Sequence, residues 1–63
     1  MKNILREIRM SKEMSQQALA QNTGVSRQSI HAIEKGKYVP STELALKICR
    51  ELDKKVEDIF SLD

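Results

Sequence analysis

The apolar residues of this chain recur every three to four positions from one end to the other, and no stretch sustains apolar–polar alternation. That spacing belongs to the α-helix, whose 3.6-residue turn stacks positions i, i+3 and i+4 on one face. Glycine occurs only twice and proline once, so each breaker carries positional information. The expected class is all-α, with helices joined by short loops.

At 63 residues the chain is expected to form one domain, spanning 1–63, because independent domains rarely run below about 50 residues. A domain this small has little interior to hollow out for a large catalytic cavity. It also lacks covalent staples. Cys49 is the only cysteine and His31 the only histidine, which excludes an internal disulfide and a Cys/His zinc site. No cofactor or metal is expected. Tyr38 and Phe60 are the only aromatics, so the core must be aliphatic, and stacking platforms for single-stranded nucleic acid are absent. No apolar run approaches membrane-spanning length. The expected compartment is the cytoplasm, with no membrane partner and no small-molecule ligand in view.

The periodicity predicts five helices. Ile4, Leu5 and Ile8, extended backwards by Met1, mark the first at about 3–12. Ser15 is an N-cap candidate for a second at about 16–22, with Leu19 and Ala20 inward. Ser26 caps a third at about 27–34, carrying Ile30 and Ile33. Gly36 ends it, and Pro40 follows in an extended stretch. Ser41 caps a fourth at about 42–52, with Leu44, Ala45, Ile48, Cys49 and Leu52 as its stripe. Val56, Ile59 and Phe60 mark a last short helix at about 56–60. Serine suits each cap because its hydroxyl accepts from an otherwise unpaired backbone N–H in the first turn.

Net charge is +2 but uneven. Residues 1–40 carry seven basic and three acidic side chains, and residues 41–63 carry four basic and six acidic. A basic front and an acidic tail suit a protein that meets a polyanion with one face.

The informative stretch runs from Gln16 to Lys35. Two capped helices flank a tight turn, with Ala20 small enough for a close helix crossing and Gly24 able to adopt positive φ. Ile30 and Ile33 anchor the second helix inward, which frees its outer face. That face begins with Arg27, Gln28 and His31. Arginine can bond bidentately to guanine and glutamine to adenine in a major groove, and these three are the candidate base-reading residues. Gln16, Ser26, Ser29, Lys35 and Lys37 are the candidates for the DNA backbone.

The runs Ser15-Gln16-Gln17-Ala18-Leu19-Ala20, Gly24-Val25-Ser26-Arg27-Gln28-Ser29-Ile30, Ile33-Glu34-Lys35-Gly36-Lys37 and Pro40-Ser41-Thr42 resemble the phage-repressor and Cro-type helix-turn-helix family, also called the Xre family. The likeness extends to Val56-Glu57-Asp58-Ile59-Phe60. It implies a compact five-helix, lambda-repressor-like domain with the helix-turn-helix formed by helices 2 and 3. The implied function is sequence-specific double-stranded DNA binding in transcription regulation, with repression favoured. It also implies that Gln16 meets phosphate at the start of helix 2, and that Arg9 and Glu34 form a structural pair linking helix 1 to the end of helix 3. Four positions depart from the family pattern. Glu13 and Asp53 stand where glycine is common, Thr23 where an apolar residue is common, and Lys55 where a small capping residue is common.

Three function classes compete: a DNA-binding regulator, a protein-interaction module or antitoxin component on the same fold, and an enzyme. No nucleophile–base pair or phosphate-cradling glycine loop supports the enzyme. The basic outer face of helix 3 favours DNA over an acidic or apolar partner surface. A homodimer on a near-palindromic operator is expected, joined through the C-terminal region by Ile59, Phe60 and Leu62, although Phe60 serves equally well to close the core. Cys49 reads as a buried thiol, Met10 and Met14 as the core edge, and Tyr38 as either a loop cover or a phosphate contact.

Overall fold

The computed structural model describes residues 1–63. The five helices are α1 (Leu5–Ser11), α2 (Gln16–Thr23), α3 (Arg27–Glu34), α4 (Thr42–Leu52) and α5 (Val56–Ile59). Two strands of two residues each, β1 (Lys2–Asn3) and β2 (Phe60–Ser61), pair antiparallel, with Lys2 opposite Ser61 and Asn3 opposite Phe60. The helices match the sequence expectation closely, and the small sheet is an addition to it. Its strands are too short to display alternation, and they pair only because folding brings the two ends of the chain together.

The sheet explains why α1 starts later than its apolar stripe suggests. The N–H of Ile4 donates to the carbonyl of Ile59 at 2.9 Å, continuing the pairing. Ile4 is exposed, while Leu5 is buried and Ile8 packs on the core edge. Asn3 ties this corner together. Its Oδ1 accepts from the Leu5 N–H at 3.1 Å, and its Nδ2 donates to the carbonyl of Ile33 at 2.8 Å. One side chain thus serves the first turn of α1 and the last turn of α3.

The three serine caps form as expected. Ser15, Ser26 and Ser41 accept from the N–H groups of Ala18, Ser29 and Leu44 respectively. At the other ends, α1 to α4 share one device. A residue with positive φ follows each helix, and the next N–H bonds back five residues. These pairs are Glu13 with Met14 to Arg9, Gly24 with Val25 to Ala20, Gly36 with Lys37 to Ala32, and Asp53 with Lys54 to Cys49. This is the Schellman closure, which satisfies carbonyls that a helix end leaves unpaired. Two of its four left-handed positions are filled by Glu13 (φ 54°) and Asp53 (φ 55°) rather than glycine, so the departures in sequence keep the geometry and accept the backbone strain. Thr23 is buried, and its hydroxyl donates to the Leu19 carbonyl at 2.7 Å. A polar residue thereby sits at an apolar position with its donor satisfied inside its own helix. At Lys55 no side chain caps α5; instead the Lys55 N–H donates to Asp58 Oδ2 at 3.0 Å.

Eleven apolar residues form the core: Leu5, Leu19, Ala20, Ile30, Ile33, Leu44, Ile48, Cys49, Leu52, Ile59 and Phe60. Two expectations from the sequence are overturned. Ile59 is buried and joins the core rather than a dimer surface; of the two roles open to Phe60 the core-closing one holds, while Leu62 stays exposed. Met10 is exposed rather than at the core edge, because it lies on the outer side of α1, whereas Met14 does pack against the core. Val56 points outward at the start of α5. Cys49 is buried as expected, and burial raises its thiol pKa above the ordinary value, with smaller contributions from the carboxylates of Asp58 and Glu57.

Candidate nucleic-acid interface

Helices α2 and α3 pack on each other through Leu19 and Ala20 on one side and Ile30 and Ile33 on the other, all essentially inaccessible. With its inner stripe committed, α3 must present its remaining residues outward. Arg27, Gln28 and His31 are exposed, and Ser29 is half-buried. Gly24 has φ 79° at the turn, and a Cβ built there would meet nothing within 4 Å. Glycine is therefore needed for backbone conformation at this turn, not for space.

A polar hollow of about 730 Å³ opens between α1, α2 and α3 and has no apolar lining residue. It brings together Arg6, Arg9, Gln16, Arg27, His31, Glu34 and Lys35. Gln28, Ser26, Ser29 and Lys37 lie outside it, on adjoining surface. Arg6 and Gln17 also line the hollow, a role not expected of either from the sequence. For Arg6 a signal was present: it stands three residues before Arg9 and so shares a face of α1 with it.

At the floor, Arg9 Nε donates to Glu34 Oε2 at 2.7 Å and Arg9 Nη2 to Glu34 Oε1 at 3.3 Å. Arg9 Nη1 donates to the Met14 carbonyl at 2.7 Å. The two side chains are only 10% and 4% exposed, so this is a buried, bidentate ion pair joining α1 to α3, as the family resemblance implied. Gln16 reaches the same carboxylate, its Nε2 donating to Glu34 Oε1 at 3.0 Å. Gln16 Nε2 also lies 3.4 Å from His31 Nδ1, and Arg27 Nη1 donates to Gln16 Oε1 at 3.5 Å. Arg6, Arg27 and Lys35 have no carboxylate within ion-pairing distance. Three unneutralised cations therefore surround a neutral floor.

The two serines at the start of α3 bond to each other. Ser26 Oγ accepts from the Ser29 N–H at 3.1 Å and lies 3.0 Å from Ser29 Oγ. Whichever hydroxyl donates in that contact, the other hydrogen stays free for an outside acceptor. Lys35 and Lys37, either side of Gly36, are both exposed. No group of three or more His, Cys, Asp or Glu side chains is placed to hold a metal ion, and no helix is long and apolar enough to cross a membrane.

A family model described as helix-turn-helix matches residues 5–59, nearly the whole chain. The chain belongs to the Xre-type helix-turn-helix family. It is 51% identical over 63 residues to YgzD of Bacillus subtilis, covering 100% of this chain and 96% of that one. It is 53% identical over 60 residues to MJ0272 of Methanocaldococcus jannaschii, covering 95% and 91%. Both relatives are described as uncharacterised HTH-type transcriptional regulators. Among solved structures it is similar to the restriction-modification controller protein C.AhdI from Aeromonas hydrophila, with TM-score 0.82 and 34% identity over 89% of this chain and 85% of that one. It is also similar to the clp gene regulator ClgR from Corynebacterium glutamicum, with TM-score 0.81 and 31% identity over 86% and 57%. The Xre-type chain is thus a transcriptional regulator with a helix-turn-helix DNA-binding fold, and its family is not a class of enzymes.

Proposed function

We propose that this regulator binds double-stranded DNA sequence-specifically by inserting the N-terminal half of α3 into the major groove. Arg27, Gln28 and His31 read base edges. Gln16, Ser26, Ser29, Lys35 and Lys37 hold the DNA backbone, and Arg6 joins them. The observation that carries this reading is the cluster of unpaired cations at the exposed face of α3. A phosphate backbone rewards each such cation by releasing condensed counterions.

Base and phosphate contacts differ in what they do to binding. Arg27→Ala should cost about 1–3 kcal/mol and relax preference at one base pair. Arg6→Ala and Lys35→Ala should weaken binding to all sequences alike, each lowering the slope of log K against log salt by about one. Selection from random DNA, followed by titrations at several salt concentrations, tests both. An unchanged selected motif and affinity in Arg27→Ala would overturn the base-reading assignment.

The working unit we propose is a homodimer on a near-palindromic operator, acting in the cytoplasm. Doubling the reading helix makes the second contact effectively intramolecular, which a domain this small needs for useful discrimination. With Ile59 and Phe60 committed to the core, the dimer surface is assigned to exposed apolar residues nearby. Val39, Leu46 and Val56 border an apolar hollow of about 200 Å³ floored by Pro40, Ala45 and Phe60. Half-sites one turn apart are about 34 Å between centres, a spacing within reach of neighbouring copies whose own extents are 28 × 20 × 19 Å. Occupying an operator that overlaps a promoter would repress transcription, and a reporter carrying the selected site beside a promoter tests the sign.

A further inference from the structure

The contacts at the floor of the hollow form a directed chain, and its direction follows from donor and acceptor chemistry. An ionised carboxylate only accepts hydrogen bonds, and a guanidinium only donates them. Glu34 therefore requires the NH2 end of the Gln16 amide, which donates to Oε1 at 3.0 Å. Arg27 requires the oxygen end, which lies 3.5 Å from its Nη1. Turning the amide over would set oxygen against carboxylate and NH2 against guanidinium. Gln16 is thus held in one orientation from both sides. The second hydrogen of its NH2 has only the longer 3.4 Å contact with His31 Nδ1, so it is the one able to turn to a phosphate.

We infer that Glu34 is a positioning residue for DNA reading, acting through Gln16 on Arg27, in addition to tying α1 to α3. The inference rests on the proposed base-reading role of Arg27. Arg9 holds the Glu34 carboxylate still with two hydrogen bonds, at 2.7 and 3.3 Å, and the carboxylate passes that order to the Gln16 amide. The amide oxygen then draws the Arg27 guanidinium to one side of the hollow. A long arginine so restrained in the free protein loses less side-chain freedom when it docks on a base edge, so more of its interaction appears as discrimination. Glu34 itself touches no DNA in this arrangement. Its side chain is 4% exposed, and its carboxylate already accepts from Arg9 and Gln16.

The test uses the full chain, its selected DNA site, and versions of that site with single base pairs exchanged. Gln16→Met keeps side-chain length and leaves the Arg9–Glu34 pair intact. It should lower affinity for every site, through its own backbone contact. It should also lower the preference at the base pair read by Arg27 by a further factor of roughly three to ten, part of the discrimination one bidentate contact supplies. In an Arg27→Ala background, Gln16→Met should leave preference at that base pair unchanged. Glu34→Gln, assayed where circular dichroism shows it folded, should lose the same preference. If Glu34→Gln does not fold, Gln16→Met and the double variant carry the test alone. Nitrogen-detected NMR of the free protein adds a readout independent of DNA: rotation of the Arg27 guanidinium should speed up in Gln16→Met. Uniform affinity losses with preference intact at that base pair, or a preference loss that persists after Arg27→Ala, would overturn the inference. If Arg27→Ala alone altered no preference, the base-reading proposal would fall first, and this inference with it.

Discussion

Replacing Arg9 or Glu34 singly should be among the most damaging changes this chain can suffer, and replacing both should be far milder. The pair is buried, and each partner is matched to the other by two hydrogen bonds. Arg9→Met leaves a carboxylate in a site almost closed to water, with only Gln16 to donate to it. Glu34→Leu leaves a guanidinium that keeps the Met14 carbonyl but no counter-charge. Removing one partner of such a pair typically costs about 3–5 kcal/mol, much of it the penalty for the stranded charge. A domain of this length is stable by roughly 3–9 kcal/mol in total, at about 0.05–0.15 kcal/mol per residue. A single replacement should therefore consume a large part of that stability. At about 4–8 °C per kcal/mol for a domain of this size, the melting temperature should fall by roughly 12–40 °C.

The double variant Arg9→Met/Glu34→Leu strands neither charge and fills similar volume with apolar atoms, a replacement that is often neutral or stabilising. It should melt above both single variants, with a coupling energy of about 2 kcal/mol or more. The Met14 carbonyl loses a donor in the double variant, which sets an offsetting cost of about 1–3 kcal/mol. Thermal and urea melts followed by far-UV circular dichroism measure all four corners of the cycle. Additive losses, with the double variant least stable of all, would refute the argument, since they would mean that the two side chains are stabilising independently of each other.

Other perturbations have smaller and more local outcomes. Glu13→Gly removes the strain of an L-residue at φ 54° at the expense of a more flexible unfolded chain; the net gain should be about 0.5–1 kcal/mol, read from the urea midpoint. Thr23→Val should change stability by less than about 1 kcal/mol, because the lost hydroxyl bonds only to carbonyls of its own helix. Cys49 has its pKa raised by burial first and then by Asp58 and Glu57. The folded chain holds that proton more strongly than the unfolded chain, so this contribution is complete below the unfolded thiol pKa and is lost as pH climbs through the alkaline range above it. At neutral pH, alkylation should accordingly be slow in the folded protein and fast in urea, and equal rates would contradict the burial. Leu46→Glu should shift the proposed dimer to monomer in sedimentation without lowering the melting temperature of dilute protein, given that Leu46 is 55% exposed.

Much of this architecture could be read from the chain because its signals are local. Serine caps and apolar stripes act within a turn or two, as do the glycine stops after α2 and α3, and they placed helices at about 16–22, 27–34 and 42–52, against Gln16–Thr23, Arg27–Glu34 and Thr42–Leu52 in the structure. The exposed face of α3 followed by elimination, since Ile30 and Ile33 use the inner one. What escaped was non-local. Gln16 and Glu34 are eighteen residues apart, and nothing in their spacing says that one will donate to the other. Asn3 serves two helices only after the termini have met. The fate of Ile59 and Phe60 depended on how much apolar area the core could absorb, and β2 carries Phe60 inward while leaving Leu62 outside.

The left-handed residues show how local strain is distributed around α3. All four Schellman closures need positive φ, yet glycine is found at the two that bracket α3, Gly24 and Gly36, and not at the ends of α1 and α4. Space does not explain the difference, because a Cβ at either glycine would meet nothing within 4 Å. What glycine removes is the roughly 1–2 kcal/mol that an L-residue incurs in this conformation. At Glu13 and Asp53 that cost falls on helix ends whose residues touch no DNA in the proposed arrangement. At Gly24 and Gly36 it would fall on the two joints that set the angle and register of α3. Strain at those joints could be relieved by shifting α3 against Ala20, which would move Arg27 away from Gln16. Gly24→Ala and Gly36→Ala are therefore expected to disturb DNA discrimination more than their stability losses alone account for, whereas Glu13→Ala and Asp53→Ala should alter stability only. Equal discrimination in all four, measured at matched folded fraction, would show that strain at the joints does not reach the reading face.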